Sequence, residues 1–504
     1  MKESIRSKVT LLNMISMFIF QIITLINGFI IPKIILSYFG SDINGLVSSI
    51  NQFLNYIALI EGGLTGVVVA SLYKPIADHD YEKVSAILYS SKKFYKNISI
   101  IFIIYTLLLA IVYPLLFHIN YSYTYVFSLI IILSISLFVQ YMFSLNYKNL
   151  LTADKKVYIV SFTQSIILIL NIVLSFISVK IFPSIHLLKL VSGLLFIFQP
   201  LFFNIYVKRH YPIIKNKKGD KELIKSRWNG FAINIAAFIH YGTDITLLTI
   251  FTNYSVVSIY SVYSLVSNGL RQVISSLTNG INPTIGNLYA SGNSKKLNNV
   301  LDIYEFIVLF LVFFLFSVGA LLITPFVMIY TLNINDVNYY QPLFGYLLLV
   351  SEALYLLKFP HLNLAYSANK FKEITKPAFI EATINIVISL FLVNILGLEG
   401  ITIGTIIAMM YRLMFHIRYT KTLLNNRNVN MYYYKIAVFT AFTLIGFLIC
   451  TLLPLRMLDI FNWICYGILY SIIFIILYSI CSFFFFKNEF SYLKNYLCNK
   501  GKGD

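Results

Sequence analysis

The chain has 504 residues, of which 58% are hydrophobic and only 12% are charged, and its mean hydropathy is +0.78. Soluble proteins contain about 45–50% apolar and about 25% charged residues, so this composition excludes a soluble fold and predicts an integral membrane protein. The formal net charge is +19. No basic module stands clear of the apolar sequence, so we do not expect nucleic-acid binding.

The first apolar run follows the basic residues Lys2, Arg6 and Lys8. It is too long for the core of a signal peptide, and no small-residue cleavage site follows it, so we interpret it as a retained first helix. Because one helical crossing takes roughly 20 residues, the apolar runs predict about fourteen membrane spans. These cover 9–31, 45–72, 95–117, 122–145, 157–179, 187–207, 230–251, 255–281, 300–329, 341–364, 378–396, 400–419, 435–453 and 462–486.

Lys and Arg are distributed unequally between the two sides of these spans. An even number of spans places both termini on one side, and that side collects about 32 of the 39 basic residues. The loops predicted on the other side hold only Lys33, Lys180, Lys189 and Arg456. By the positive-inside rule, both termini are predicted to be cytoplasmic.

A weak internal repeat relates the two halves of the chain at an offset of about 215 residues. Because a unit with an even number of spans keeps its orientation, the repeats should be parallel and related by an axis along the membrane normal. The matching segments are LTADK (151–155) with YSANK (366–370), NIVLS (171–175) with NIVIS (385–389), and LY (72–73) with LY (288–289). The predicted organisation is a six-helix lobe over 1–208, a cytoplasmic linker over 209–229, a second six-helix lobe over 230–420, and two added helices with a tail over 421–504.

The eighth predicted span has a polar face. Its polar residues recur at steps of three or four, which places them on one side of a helix. Arg271 lies near the middle of this span, where a charge costs about 3 kcal/mol, so it should face water or a partner. The polar residues on this face are Ser261, Ser264, Asn268, Arg271, Ser275 and Asn279.

The first, second and seventh predicted spans also have polar faces. Each predicted six-helix unit contributes two of the four polar spans, so together they predict one polar cavity at the interface of the repeats. This is the arrangement of alternating-access carriers. The residues predicted to line the cavity are Asn27, Asn51, Asn55, Asn234, Tyr241, Asn268, Arg271 and Ser275.

Basic residues inside the spans are candidates for cargo binding, since charges in a membrane usually have a function or a partner. Arg271 could bind a phosphate group, because a guanidinium pairs bidentately with phosphate. It could instead form a structural ion pair with an acid on another helix. Lys358 and Arg412 lie nearer the cytoplasmic ends, where they could bind cargo or only extend towards the membrane surface.

Four acids inside the spans are candidates for H⁺ or Na⁺ coupling. Glu61 lies beside a glycine-rich segment, and it could also be a partner of Arg271 or a structural hydrogen-bond acceptor. Asp244 lies in the outer half of the seventh predicted span. For Glu352 and Glu381 the sequence leaves open whether they couple ions or form structural pairs.

Motifs of enzymes and of metal sites are not found in the sequence. There is no HExxH, P-loop or nucleophile elbow. The four cysteines have no CxxC spacing and no histidine cluster accompanies them, so neither a metal site nor a disulfide framework is expected. These observations predict a non-enzyme without cofactors, apart from a coupling ion. The cysteines are Cys450, Cys465, Cys481 and Cys498.

Over nearly its whole length the chain resembles the Wzx-type polysaccharide flippases of the multidrug/oligosaccharidyl-lipid/polysaccharide (MOP) exporter superfamily. The stretches that carry the resemblance are EGGL (61–64), LYKPIADHDYEKVSAIL (72–88) with Lys93 and Tyr95, LTADKKVYIV (151–160), 283–286, TPFVMIYTLNINDVNYYQP (324–342), and IEATINIVISL (380–390) through Gly397, Gly400, Gly404 and Thr405.

The resemblance implies a MATE-like, all-α membrane fold of two six-helix bundles with two added helices, around a cavity that opens alternately to each side. It implies that the cargo is an undecaprenyl-pyrophosphate-linked oligosaccharide for capsule, exopolysaccharide or O-antigen synthesis. A cation would hold the pyrophosphate, and Asn, Ser, Tyr and Thr would bind sugar hydroxyls. The implied location is the bacterial cytoplasmic membrane, and the implied partners are membrane lipids and the polymerase and glycosyltransferases of the same pathway.

Two alternatives stay open at this point. A relative with different cargo, such as a lipid II flippase or a MATE-type multidrug/cation antiporter, would have the same fold. A drug antiporter should tolerate loss of the cations in its cavity but not loss of an acid. A polymerase or ligase of the same pathway would need a sizeable outer loop, and no outer loop in this sequence is long.

Overall fold

The structure is a computed structural model. It describes residues 2–61 (side chains from residue 8), 63–117, 121–214, 242–278, 281–424, 427–453, 459–487 and 489–491. The chain divides into two compact units, unit 1 (Met1–Ser258) and unit 2 (Ile259–Asp504). The predicted lobe boundaries remain a prediction.

The regular elements of the described residues are all helical. Unit 1 contains α1 (Lys2–Asn55), α2 (Ile57–Glu61), α3 (Leu64–Ala77), α4 (Tyr81–Leu116), α5 (Tyr123–Val139), a π-helical turn (Gln140–Ser144), α6 (Leu145–Ala153), α7 (Val157–Ile181), α8 (Ile185–Leu195), α9 (Phe198–His210) and α10 (Gly242–Phe251). The division between the units falls within α11 (Tyr254–Thr278). Unit 2 continues with α12 (Asn282–Ala290), α13 (Ser294–Tyr330), α14 (Pro342–Leu357), α15 (Phe359–Ser367), α16 (Phe371–Leu396), α17 (Leu398–Leu423), α18 (Asn430–Thr451) and α19 (Ile460–Phe485).

Eleven helical segments within the described residues are long and apolar enough to cross a membrane. The first of them, Lys8–Glu61, takes in the first predicted span and the beginning of the second. Two further apolar helices, α3 and α10, are shorter. The predicted seventh span begins at 230–241, outside the described residues. The prediction of an all-α protein with many membrane spans is confirmed.

The boundaries near the amino end differ from the predicted ones, because glycines interrupt the helices there. Predicted spans 1 and 2 are joined without a loop, and the only break in α1 is Gly40, with φ 81° and ψ 179°. The second predicted span is itself divided beside Gly63, whose φ of 79° lies in the left-handed region that favours glycine. Lys33 and Lys189, predicted in outer loops, lie in α1 and α8 instead.

The local structure repeats where the sequence predicted an internal repeat. The short helices α6 and α15 are each followed by a residue with positive φ, Lys155 (59°) and Asn369 (56°), just before a long helix begins. The same pattern of three backbone hydrogen bonds closes both turns. Similarly, α4 and α13 begin with the capping residues Asp80 and Asn293, each of which accepts a hydrogen bond from the backbone amide three residues later.

The turn after α6 is held in place by Tyr211, which follows α9. Its hydroxyl donates to Asp154 Oδ2 at 2.5 Å and accepts from Lys156 Nζ at 3.1 Å. Burial raises the pKa of Tyr211, and its hydrogen bond to the Asp154 carboxylate raises the pKa further. Tyr211 therefore stays protonated and continues to donate over the physiological pH range.

Both units have apolar cores and apolar outer surfaces. In unit 1 the core includes Leu46, Ile50 and Leu129, which are completely buried. On the outside of the helices, large apolar side chains such as Leu115 and Phe391 are more than two-thirds exposed. Exposed apolar surface on this scale indicates contact with lipid rather than water.

Candidate functional site

Glu61 lies where the second predicted span is interrupted. It is the last residue of α2, just before the break that contains Gly63. One oxygen of its carboxylate accepts a hydrogen bond from Thr65, and the other accepts from Tyr141 at 3.4 Å. Tyr141 belongs to the π-helical turn that follows α5. Because π-turns are rare and are frequent at functional sites, two helix irregularities meeting at one acid mark this position as a candidate site.

The polar cluster around Glu61 extends to two buried neighbours. Tyr95 shares a hydrogen bond of 3.0 Å with Thr65 and accepts another from Asn149 at 2.9 Å. Within the part of the chain that the structure describes, Glu61 forms no salt bridge. Its hydroxyl partners can reorient to accept as well as donate. Among the described side chains, Glu61 is therefore held by hydroxyl groups alone.

Asp244, the other candidate acid of unit 1, lies in α10 and is 5% exposed. Its helix is attached to α1 by a hydrogen bond from Thr249 to Ser49, and to Tyr56, just after α1, by one between Tyr56 and Thr246, both of 2.7 Å. Two predicted cavity residues just before α10, at positions 234 and 241, lie outside the described residues.

A polar cavity of about 210 Å³ lies inside unit 1, and we call it the Lys189 cavity. Asn27 and Asn51, both predicted to line a cavity, are among its lining residues, whereas Asn55 is exposed at the end of α1. Asn171 donates to Asn27 Oδ1 at 3.1 Å and thereby connects α7 with α1. The full lining is Asn27, Ile31, Asn51, Ile132, Leu133, Ser136, Asn171, Lys189, Ser192, Gly193 and Phe196.

Arg271 in unit 2 has the acidic partner that the sequence left open. Its Nη1 lies 3.1 Å and 3.4 Å from the two carboxylate oxygens of Glu352 on α14, and its Nη2 donates to Asn268 Oδ1 at 2.5 Å. The side chains of Arg271 and Glu352 are 20% and 13% exposed. Ser275 lies one turn further along α11 and is partly buried. The ion pair is thus mostly buried but accessible to a small polar group.

The remaining intramembrane candidates lie together in unit 2. Arg412 on α17 approaches Glu381 on α16 at 3.6 Å, and its Nε donates to His416 Nε2 at 2.8 Å. Lys358 is also buried, and its Nζ lies 3.8 Å from the centre of the Tyr355 ring. Neither cation extends to a surface, so the structure contradicts the snorkelling interpretation of Lys358 and Arg412.

A third charged cluster, around Glu305, was not predicted from the sequence. The buried carboxylate of Glu305 accepts from Arg427 at 2.6 Å and lies 3.9 Å from Lys435 and 3.7 Å from His361. Lys435 pairs in addition with Glu489 at 2.9 Å. One signal was available: Glu305 is an acid inside the ninth predicted span, where an unpaired charge is costly.

An apolar groove of about 440 Å³ lies in unit 2 between α13, α14 and α18. Val350 and Tyr346 line it and are 48% and 43% exposed, so the groove opens onto the surface of the unit. Its other lining residues are Val312, Phe313, Phe316, Ser317, Ala320, Leu321, Leu349, Ala353, Leu357, Thr443, Phe447 and Thr451.

The hydroxyl groups of the groove's Ser and Thr residues are satisfied within the protein. Ser317 shares a hydrogen bond of 2.8 Å with Tyr478, and Thr443 donates to the carbonyl of Phe439 at 2.8 Å. Thr451 donates to the carbonyl of Leu448, also at 2.8 Å. Since these groups need no further partner, the groove presents a surface suited to hydrocarbon.

No family model matches the chain, and no curated protein matches it. Solved structures that are similar to it in fold include a lipid II flippase and two MATE transporters. The lipid II flippase MurJ, in an inward closed conformation, has a TM-score of 0.68 and 15% identity, and the match covers 94% of this chain and 99% of that chain. An inward-facing multidrug resistance MATE family transporter of the MOP superfamily has a TM-score of 0.62 and 14% identity, over 81% of this chain and 96% of its own. The MATE transporter VcmN from Vibrio cholerae, in a bent form, has a TM-score of 0.58 and 12% identity, over 84% and 99%.

These similarities confirm the predicted MATE-like architecture, since they cover most of this chain and nearly all of each solved chain. At 12–15% identity they concern the fold alone. The eleven candidate spans and the lipid-facing surface agree with them. The chain is therefore a multi-pass membrane protein with the fold that MurJ and the MATE transporters share.

Proposed function

We propose that the protein is a flippase that moves undecaprenyl-pyrophosphate-linked oligosaccharides across the bacterial cytoplasmic membrane, for the synthesis of a surface polysaccharide. The observation that carries this proposal is the apolar groove between α13, α14 and α18. A carrier of lipid-linked cargo must accommodate a polar head and a long hydrocarbon tail at once. The groove is suited to the tail, because it is open to the lipid-facing surface and the hydroxyl groups of its Ser and Thr residues are already satisfied.

The two added helices support the same proposal. The MurJ match covers 94% of this chain, whereas the two MATE matches cover 81% and 84%. The difference, about a tenth of the chain, is comparable to the combined length of α18 (22 residues) and α19 (26 residues). One of these helices, α18, forms a wall of the groove. In a carrier of lipid-linked cargo, the added helix α18 would help to bind the hydrocarbon tail, whereas a water-soluble drug has no such tail.

The head of the cargo requires different surroundings. In the proposed cycle the two lobes rock around a polar cavity, the glycan crosses through the cavity, and the tail stays in the bilayer. Arg271 is the proposed contact for the pyrophosphate, and Asn268 and Ser275 on the same helix are proposed contacts for sugar hydroxyls. Both termini are proposed to be cytoplasmic, and the polymerase and glycosyltransferases of the pathway are the proposed partners.

The groove gives a first prediction. Val350→Trp should slow flipping of a fluorescent undecaprenyl-pyrophosphate oligosaccharide in proteoliposomes by about tenfold, because the indole fills space that the tail would occupy. Losing contact with about two CH₂ groups, at about 0.8 kcal/mol each, corresponds to roughly this factor.

The matched control is Val387→Trp, on α16. Val387 is 44% exposed against 48% for Val350, and it does not line the groove. The Val387→Trp variant should flip cargo at the wild-type rate. Equal rates for both variants, with equal expression and thermal stability, would remove the groove from the proposed path and with it the main support for a lipid-linked cargo.

Coupling to an ion gradient gives a second prediction. We propose that Glu61 and Asp244 bind H⁺ or Na⁺, since both acids lie inside unit 1 and Glu61 is held by hydroxyl groups alone among the described side chains. In Glu61→Gln/Asp244→Asn, flipping should no longer respond to an imposed H⁺ or Na⁺ gradient. Glu373→Gln/Asp78→Asn removes the same charges from exposed positions and should keep the response. If the first double variant responds as the wild type does, coupling lies elsewhere.

A lipid II flippase is the second candidate function. It is favoured by the match to MurJ, which has the highest TM-score and coverage of the three solved structures compared. The groove is suited to the tail of either cargo, so the two functions differ in the head group alone. Flipping rates measured in parallel with lipid II and with a longer undecaprenyl-pyrophosphate oligosaccharide would distinguish them. A preference for lipid II would replace the function proposed first.

A further inference from the structure

The Lys189 cavity contains a cation that no described residue balances. Lys189 lies in the second turn of α8 and is partly buried. It forms no hydrogen bond or ion pair with the side chains that the structure describes. Lysine side chains that are withdrawn from water usually have a partner, and Lys189, which is partly buried, loses part of the hydration of its ammonium group. A missing partner at this position therefore requires an explanation.

The other polar groups of the cavity are amides and hydroxyls. Asn27 Oδ1 accepts the hydrogen bond from Asn171, so the amide nitrogen of Asn27 keeps its two N–H groups for the cavity. Asn51, Ser136 and Ser192 add further groups that can donate. None of the residues found to line the cavity is Asp or Glu. Among the described residues that line it, the site thus has a positive charge and several donors but no competing carboxylate.

We propose that this cavity binds a phosphate-class oxyanion, with Lys189 as its counter-ion and the amide of Asn27 as a second contact. Such an anion accepts several hydrogen bonds and would provide the charge that Lys189 lacks. The volume of about 210 Å³ has room for the anion and several waters, each of which takes about 30 Å³ in the liquid. The inference goes beyond the proposed function, because this cavity lies in unit 1 and the groove lies in unit 2.

Two sources of the oxyanion share this chemistry, free phosphate and the phosphate group of a lipid. A simpler alternative is that Lys189 extends along its apolar stem towards water and binds nothing. The alternatives differ in one measurable respect. If the cavity is a site, an anion binds with an affinity that depends on Lys189 and falls when a carboxylate is placed beside it.

The experiment is calorimetric titration of the purified full-length protein in detergent. One arm uses sodium phosphate, with sodium chloride at equal ionic strength as the blank, and the other uses undecaprenyl phosphate in the same micelles. Lys189→Gln should weaken binding by about tenfold or more, the factor typical of a charge-assisted hydrogen bond. Asn27→Asp should do the same, because its carboxylate keeps the bond from Asn171 and also pairs with Lys189.

The matched control is Lys180→Gln, which removes the same charge from an exposed position at the end of α7. It should bind as the wild type does. Binding of free phosphate, of the lipid phosphate or of both supports the site and identifies the source. The proposal is overturned if the wild type binds neither probe, or if Lys189→Gln binds as tightly as the wild type. Because Asn27→Asp retains the hydrogen bond to α7, it keeps the test valid should Lys189→Gln fold poorly.

Discussion

Replacing Glu305 with Gln should destabilise the protein by about 3 kcal/mol. The carboxylate is buried and is the shared partner of Arg427, at 2.6 Å, and Lys435, at 3.9 Å. Gln keeps the size of the side chain but removes its charge, so both cations lose a counter-ion in surroundings that hydrate them poorly. We expect the lower end of the usual range for a broken buried pair, because Lys435 retains Glu489 and Arg427 retains Asp302, each at 2.9 Å.

Thermal and denaturant unfolding in detergent would measure this effect. The control is Glu373→Gln, where the lost pair with Lys370 spans 3.5 Å and the side chains are 44% and 40% exposed. An exposed pair of this kind contributes at most about 1 kcal/mol. Glu305→Gln/Arg427→Gln should recover part of the loss, since the most closely paired cation is removed with the acid. Similar shifts for Glu305→Gln and the control would mean that water reaches the cluster.

Several parts of the fold were predictable because they depend on local sequence. Long apolar runs require helices in a membrane, since backbone groups cannot be left unpaired in lipid. The LTADK and YSANK segments predicted a repeat, and the structure has equivalent turns there, with positive φ at Lys155 and Asn369. In each case the determining interactions lie within a few residues of one another.

Other features depend on contacts between distant parts of the chain and were not predictable. The sequence located Arg271 inside a span but left its partner open, because Glu352 is 81 residues away and meets it only when α11 packs beside α14. Lys189 was counted among the basic residues of the outer loops, and its position in a polar cavity depends on how α8 packs against α5 and α7. The break at Gly40 arises from its non-helical backbone conformation, and the apolar residues around it did not predict this conformation.

Arg271→Ala should reduce flipping of the undecaprenyl-pyrophosphate oligosaccharide by about 10–100-fold, the range expected for loss of a charge-assisted contact. Arg271→Lys should recover part of the rate, because it keeps the charge but not the planar fork. A reduced rate in Arg271→Ala is ambiguous by itself. The substitution also leaves Glu352 without its partner at 3.1 Å, and an unpaired acid that is only 13% exposed would destabilise unit 2.

The double variant Arg271→Ala/Glu352→Ala separates the two effects. Removing both charges leaves no unpaired ion, so the stability lost in Arg271→Ala should largely return. If Arg271 holds the pyrophosphate, the double variant is stable and still does not flip. If the ion pair serves only to connect α11 with α14, flipping recovers together with stability, and the contact with the cargo has to be sought at Lys358 and Arg412. Because Glu352 already pairs with Nη1 of Arg271, a pyrophosphate that takes this nitrogen has to exchange with the carboxylate. Since one ion pair replaces another, such an exchange stabilises the loaded state only modestly. A carrier must also release its cargo, so modest binding suits this function.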